Sequence, residues 1–294
     1  MINKKTEWKR IATFIIVSFG LTWIPEIILN KTAGFDVWFS SQKYQIIAIL
    51  LMFPPAIANL ITRAVTKEGM KNSYLHLNIL TNNNIKYYIA AFLLPILSGA
   101  LSGICMELFF GKLDFKTAFE NNSLILMSGM ILNIMSISAV MAWITFGEEF
   151  GWRAYLYPKL EKLIGTPWTC LVGGIIWGIW HMPLTVEGHN FGRDYWGFPW
   201  LGIVCMTITC IADGVVLMWL TKKSGSIFPA AIFHACGNNG GSGISNFFMA
   251  SADKWERLEI YHWLVFTIPE ILLGAICFIL LIIDSKKIDH VHIK

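Results

Sequence analysis

Residues 124–146 read LILMSGMILNIMSISAVMAWITF, and residues 147–153 continue GEEFGWR. The first run holds no Asp, Glu, Lys or Arg. As a helix rising 1.5 Å per residue, it is long enough to cross the ~30 Å hydrocarbon core of a bilayer. Glu148, Glu149 and Arg153 follow at once. A charged side chain at membrane depth costs at least ~2.5 kcal/mol on insertion scales, so an ionisable residue there is by default a functional hypothesis. Whether these three charges sit at such a depth depends on what the remainder of the chain is dissolved in.

Of the 294 residues, 55 % are hydrophobic and 14 % charged, and the mean hydropathy is +0.56. That is too little polar surface to solvate a globule of this size, which makes lipid the bulk solvent. Apolar stretches of spanning length lie at about 11–29, 44–62, 87–110, 124–146, 167–186, 199–220, 226–249 and 261–284. They predict an all-α integral membrane protein of about eight transmembrane helices packed as a single bundle. The loops are short, without repeats, low-complexity tracts or linkers, so residues 1–294 are expected to form one polytopic domain.

With the N-terminus inside, the inward-facing segments carry 16 of the 23 Lys and Arg residues. This bias predicts a multi-pass cell-membrane protein with both termini cytoplasmic. In such a chain the net charge of +4 speaks to topology, and no nucleic-acid partner is expected. The opening MINKKTEWKR has the charge of a signal-peptide n-region. The apolar run behind it is longer than an h-region and lacks a small-x-small cleavage site, which points to an uncleaved first helix. The six cysteines lie in apolar stretches without CxxC spacing and read as packing residues. Pro54 and Pro55, Pro95 and Pro269 are expected to kink the second, third and eighth helices.

Helical geometry sets Glu148 and Glu149 about 100° apart. Arg153 lies one turn beyond Glu149, in the favourable acid-before-base order, and can neutralise it. Glu148 is left to face another partner, where desolvation would suit it to act as a general base. The competing reading is a solvated helix end at the cytoplasmic surface, where such charges are ordinary. Residues 177–184, WGIWHMPL, put His181 inside an apolar span with Trp177 one turn earlier on the same face. A lone helix histidine is more often packed than catalytic, but lipid moves the balance toward function. Residues 226–240, SIFPAAIFHACGNNG, stack His234 and Asn238 on one face. Both can donate to a developing oxyanion; a packing hydrogen bond between close helices is the alternative. A carboxylate, two histidines and an amide on three separate spans are more than most packing explanations require.

Other polar residues share the apolar spans: Glu26, Glu107, Asn133, Asp213 and Glu270. Glu26 and Glu270 each follow a proline near an expected outer helix end, where snorkelling is cheap, and read as structural. Asp213, deep in the sixth span, is harder to dismiss: beside the structural reading it is a candidate for lining a cavity or orienting a catalytic group. One tension arises from the spans themselves. A helix ending at Phe146 leaves Glu148 shallow while His181 sits ~22 Å along its own helix. The Glu-bearing helix is therefore expected to continue past residue 148 within the membrane, or the next helix to begin outside it.

In order and spacing these residues resemble the CAAX-protease and bacteriocin-processing (CPBP) family, which includes prenyl-protein CAAX endopeptidases and immunity-associated (Abi) membrane proteins. The family pattern is EExxxR, then FxxxH, then HxxxN or HxxxD. It is matched by Glu148-Glu149-x-x-x-Arg153, Trp177-x-x-x-His181 and His234-x-x-x-Asn238. The match covers about residues 140–245, the expected catalytic core. Trp177 stands where the pattern has Phe, and a change in pocket shape more than in chemistry is expected.

The resemblance implies an intramembrane endopeptidase with a catalytic cavity in which Glu148 and His181 hold and activate a water. His234 and Asn238 would stabilise the oxyanion, with Glu149 and Arg153 in support; Trp177 and Asp213 are further supporting candidates read from their places in the spans. No covalent nucleophile is needed. Glu148, His181 and His234 are also types that could ligate Zn²⁺, although HExxH is absent and no cofactor is favoured.

Residues 240–243 read GGSG and fit the GxSG of a rhomboid serine protease. In a rhomboid that motif and HxxxN sit on different helices, whereas Asn238 and Ser242 are only four residues apart. From other classes stand a non-catalytic scaffold or regulator of another membrane protein, and a proton-coupled transporter. The chain has no inverted repeat of the transporter kind and lacks none of the catalytic residue types. The expected partners are the lipid bilayer and a peptide or membrane-associated protein substrate. The short loops and lysine-rich ends look bacterial, which favours pheromone, bacteriocin-leader or membrane-protein processing over a prenylated protein.

Overall fold

The computed structural model describes residues 3–41, 46–47, 49–81, 83–111, 124–248 and 260–291, and all regular structure among them is helical. Helix α1 spans Lys4–Thr32, α2 Phe35–Ser40, α3 Pro54–Val65, α4 Ile85–Phe110 and α5 Leu124–Gly151. A π-helical turn, Trp152–Leu156, joins α5 to α6, Tyr157–Trp180. Then follow α7 Met182–Thr185, α8 Trp200–Ser224, α9 Phe228–Phe248, α10 Ile260–Phe266 and α11 Ile268–Val291.

Five helical stretches are long and apolar enough to cross a membrane: Lys4–Thr32, Ile85–Phe110, Ile125–Trp180, Trp200–Ser224 and Ile268–Lys286. Their outward side chains, such as Leu126, Val140 and Leu272, are apolar and exposed, as suits helices bathed in lipid.

These stretches match the eight expected spans in part, and differ from them in three places. Residues 44 and 45, at the start of the expected second span, lie outside the described residues. The helix that follows, α3, has 12 residues and reaches only ~18 Å. Pro54 and Pro55 occupy its first turn, where the missing N–H groups would have had no helical acceptor, so they start the helix rather than kink it. The expected fourth and fifth spans are two legs of one helical run, which turns back at Gly165 (φ 76°, ψ 168°). The Trp177 indole reaches Glu148, 29 positions away, whereas a straight helix would separate them by ~44 Å. The expected seventh span is α9, whose polar residues lower its hydropathy. Ala230, Ala231, Ala235 and Cys236 on it are fully buried, and a helix walled by protein need not be apolar.

Close approaches hold these elements together. A Cβ at Gly147 would fall 2.7 Å from the Met52 carbonyl oxygen, and one at Gly151 2.4 Å from the Pro55 Cβ. A Cβ at Gly174 would meet the Ile211 Cα at 2.5 Å, and one at Gly178 the Thr207 Cα at 2.6 Å. Both pairs have the small-xxx-small spacing that lets membrane helices touch backbone to backbone. One brings α5 onto the start of α3, the other α6 onto α8. Phe14 and Trp180 pack edge-on against Trp152 at 5.4 and 5.7 Å between ring centroids. The cysteines are all free and, apart from the half-buried Cys105, buried, as packing residues should be.

Candidate active site

The last turn of α5 carries Glu148 and Glu149 at 3 % and 0 % exposure, and the π-turn carries Arg153 at 1 %. A solvated helix end is thereby ruled out for EExxxR. As the tension between the spans required, α5 continues past Phe146 to Gly151. The Glu149 Oε1 accepts from Arg153 Nη1 at 3.1 Å, the pairing expected from the spacing, and also from His234 Nδ1 on α9 at 2.7 Å. The guanidinium lies on two aromatic faces, 3.9 Å from the Trp177 ring centre and 5.0 Å from that of Tyr157. Such contacts favour a desolvated cation. Among the described residues the Nε and Nη2 of Arg153 have no hydrogen-bond partner.

Glu148 is held differently. Its Oε2 accepts from the Trp177 indole Nε1 at 2.8 Å. The expectation that Trp in place of Phe changes shape more than chemistry is therefore corrected, because Phe has no N–H to donate. Trp177 also reaches the next motif residue through its backbone. Helix α6 closes with the His181 N–H bonded to the Gly178 carbonyl. The Trp177 carbonyl instead meets the His181 Nδ1 at 2.9 Å. A carbonyl can only accept, so Nδ1 carries the proton, and in the neutral ring Nε2 presents a bare lone pair. The His181 ring packs edge-on to Trp180, 4.8 Å between centroids.

The structure thus gathers Glu148, Glu149, Arg153, Trp177, His181 and His234. Asp213 on α8 lies within electrostatic reach of His234, Arg153 and Glu149, and of Glu270 on α11. Asn238 sits one turn beyond His234 on α9 and is exposed. Glu26, expected to snorkel at a helix end, lies inside the protein instead. It is 2 % exposed, its Oε2 has no hydrogen-bond partner among the described residues, and it interacts electrostatically with Glu148. It does not snorkel. The signal was available, because Ser18, Thr22 and Glu26 recur every fourth residue along the buried face of α1. That face is tied to the end of α6: Trp180 Nε1 donates to Thr22 Oγ1 at 2.9 Å and Trp23 Nε1 to the Trp180 carbonyl at 3.0 Å.

Each histidine has the posture of a ligating imidazole, with Nδ1 committed to a carbonyl or carboxylate. Yet among the described residues no three His, Cys, Asp or Glu side chains converge at a spacing that would hold a metal ion.

Residues 130–239 match the family described as Type II CAAX prenyl endopeptidase Rce1-like. CAAX prenyl protease 2 of Methanococcus maripaludis is 27 % identical over 221 residues, 67 % of this chain and 76 % of that protein. All three motifs fall inside the matched stretch, and the resemblance expected from them is borne out.

Proposed function

Taking as premise the match of residues 130–239 to the family of Type II CAAX prenyl endopeptidases, we propose that this protein is an intramembrane endopeptidase whose attacking water is activated by Glu148. The observation that carries the reading is that one buried residue, Trp177, bonds both Glu148 and His181. Glu148, 3 % exposed, has one oxygen bound to an indole and the other uncommitted among the described residues, and His181 commits Nδ1 to the Trp177 carbonyl, which leaves Nε2 available. Between them a water would be oriented and would give a proton to Glu148 as its oxygen attacks the scissile carbonyl. The oxyanion would accept from His234 and Asn238. Donation from His234 Nε2 requires the doubly protonated ring, and Glu149, 2.7 Å from Nδ1, is placed to balance that charge. Collapse of the tetrahedral intermediate would break the C–N bond as Glu148 returns its proton to the amine.

In this reading residues of about 140–245 form the catalytic core of a single polytopic domain. Its substrate is a peptide or membrane-associated protein, and its cavity opens to the cytoplasmic side that the basic residues mark. The test is cleavage of a fluorogenic peptide library, prenylated and unprenylated, by purified protein in detergent. Wild-type turnover that Glu148→Gln abolishes is expected, and it is expected to survive a strong chelator. Sensitivity to the chelator would replace the metal-free mechanism. A folded wild type that cleaves nothing would turn the reading toward a non-catalytic scaffold.

A further inference from the structure

We infer that Trp177 is the positioning residue of this site: its indole N–H orients Glu148 and its main-chain carbonyl orients His181, so one residue sets the mutual geometry of both groups that would hold the water. The inference rests on the protease reading above and adds to it a role that a phenylalanine could not fill.

Four contacts converge on Trp177, itself 4 % exposed. The indole donates to Glu148 Oε2 at 2.8 Å, and the carbonyl accepts from His181 Nδ1 at 2.9 Å. The Arg153 guanidinium covers the ring face at 3.9 Å, and His234 meets the ring edge-on at 5.5 Å and 76°. Rotation about the terminal bond of a glutamate exchanges its two oxygens at little cost, since such torsions are broad and roughly two-fold. A donor fixed in space removes that freedom. With Oε2 pinned, Oε1 is the oxygen left for the water. The indole is itself prevented from tipping, because Arg153 is anchored to Glu149 at 3.1 Å.

The helix supplies the second arm. Because α6 ends at His181, the Trp177 carbonyl is not taken up by the next turn, and it selects the tautomer with Nε2 bare. Gly178, beside Trp177, lets α6 lie against the Thr207 backbone, so the element carrying both groups is seated without slack.

Trp177→Phe keeps an aromatic ring at this position and deletes the indole N–H together with the second ring of the indole. Its kcat is expected to fall about 10- to 100-fold, the range for loss of a hydrogen bond to a charged group, with KM changed less than about two-fold; a lower unfolding midpoint, from the space the second ring leaves, is expected whatever the role of the N–H. Unchanged kcat in an enzyme that Glu148→Gln silences overturns the inference and leaves the protease reading standing. A second measurement does not depend on turnover. In protein labelled with ¹⁵N-tryptophan, the Trp177 indole resonance, identified by its absence from Trp177→Phe, is expected to shift on Glu148→Ala. A resonance indifferent to that change overturns the inference whatever the activity. If the wild type cleaves nothing, the protease reading falls, and the resonance alone then decides whether Trp177 holds Glu148.

Discussion

A single oxygen, the Oε1 of Glu149, accepts from both Arg153 and His234, and the Glu149 and Arg153 side chains are fully enclosed. Neither can fall back on water if the other is lost. Glu149→Gln therefore leaves a guanidinium uncompensated, and a loss of about 3–5 kcal/mol is expected, read as a lowered midpoint of thermal unfolding in detergent. Activity should fall with it, because the His234 ring loses the anchor on Nδ1. The Glu149–Arg153 pair was legible in the sequence, since four residues on a helix is one turn. The bond from Glu149 to His234 spans 85 positions and no spacing rule reaches it. The motif likewise marked Trp177 without revealing that its N–H would find Glu148. Glu26 was misread for a different reason. Its place near an expected helix end suggested an exit to the surface, and the polar stripe it completes was not weighed against that.

At the scale of elements, apolar length forecast the principal helices and failed at their ends. Helix α5 runs past Phe146 because Glu148 and Glu149 are satisfied by α6 and α9 rather than by water, so their charge does not terminate it. The five residues Trp152–Leu156 are all buried, which removes the amphipathic contrast from which a boundary is usually read. Their π-helical winding is a local feature frequent at functional sites and carries no sequence signature. The Gly174 and Gly178 pair has one: four-residue spacing of small residues in an apolar run. Gly174→Ala would place a methyl 2.5 Å from the Ile211 Cα, which must give way by moving backbone. A destabilisation of about 1–3 kcal/mol is expected, measured by unfolding in detergent, with activity reduced because Trp177 and His181 ride on the displaced helix.

For the whole molecule, composition identified the solvent and the helical class, while the count of spans needed the tertiary fold. A partly buried ion cluster joins distant parts of the chain. Lys159, at the start of α6, bonds Glu7 of α1 at 3.2 Å and also Glu68, and Arg10 of α1 bonds Glu7 at 2.5 Å and Glu68 at 3.3 Å. The turn at Gly165 has a further consequence, one that concerns time. The α5 leg leaves the ribosome bearing Glu148 and Glu149, but Trp177 and His234 are translated 29 and 85 positions behind the acids they bind. Until then each charge stands against the ~2.5 kcal/mol or more that favours water. A thiol installed by Ala154→Cys, with the native cysteines removed, is expected to react with a water-soluble maleimide in chains ending at Gly165 and to be protected in chains extended to Phe248. The first half of this hairpin would then be a passenger held at the membrane's edge during synthesis, admitted only when the later helices arrive to receive it.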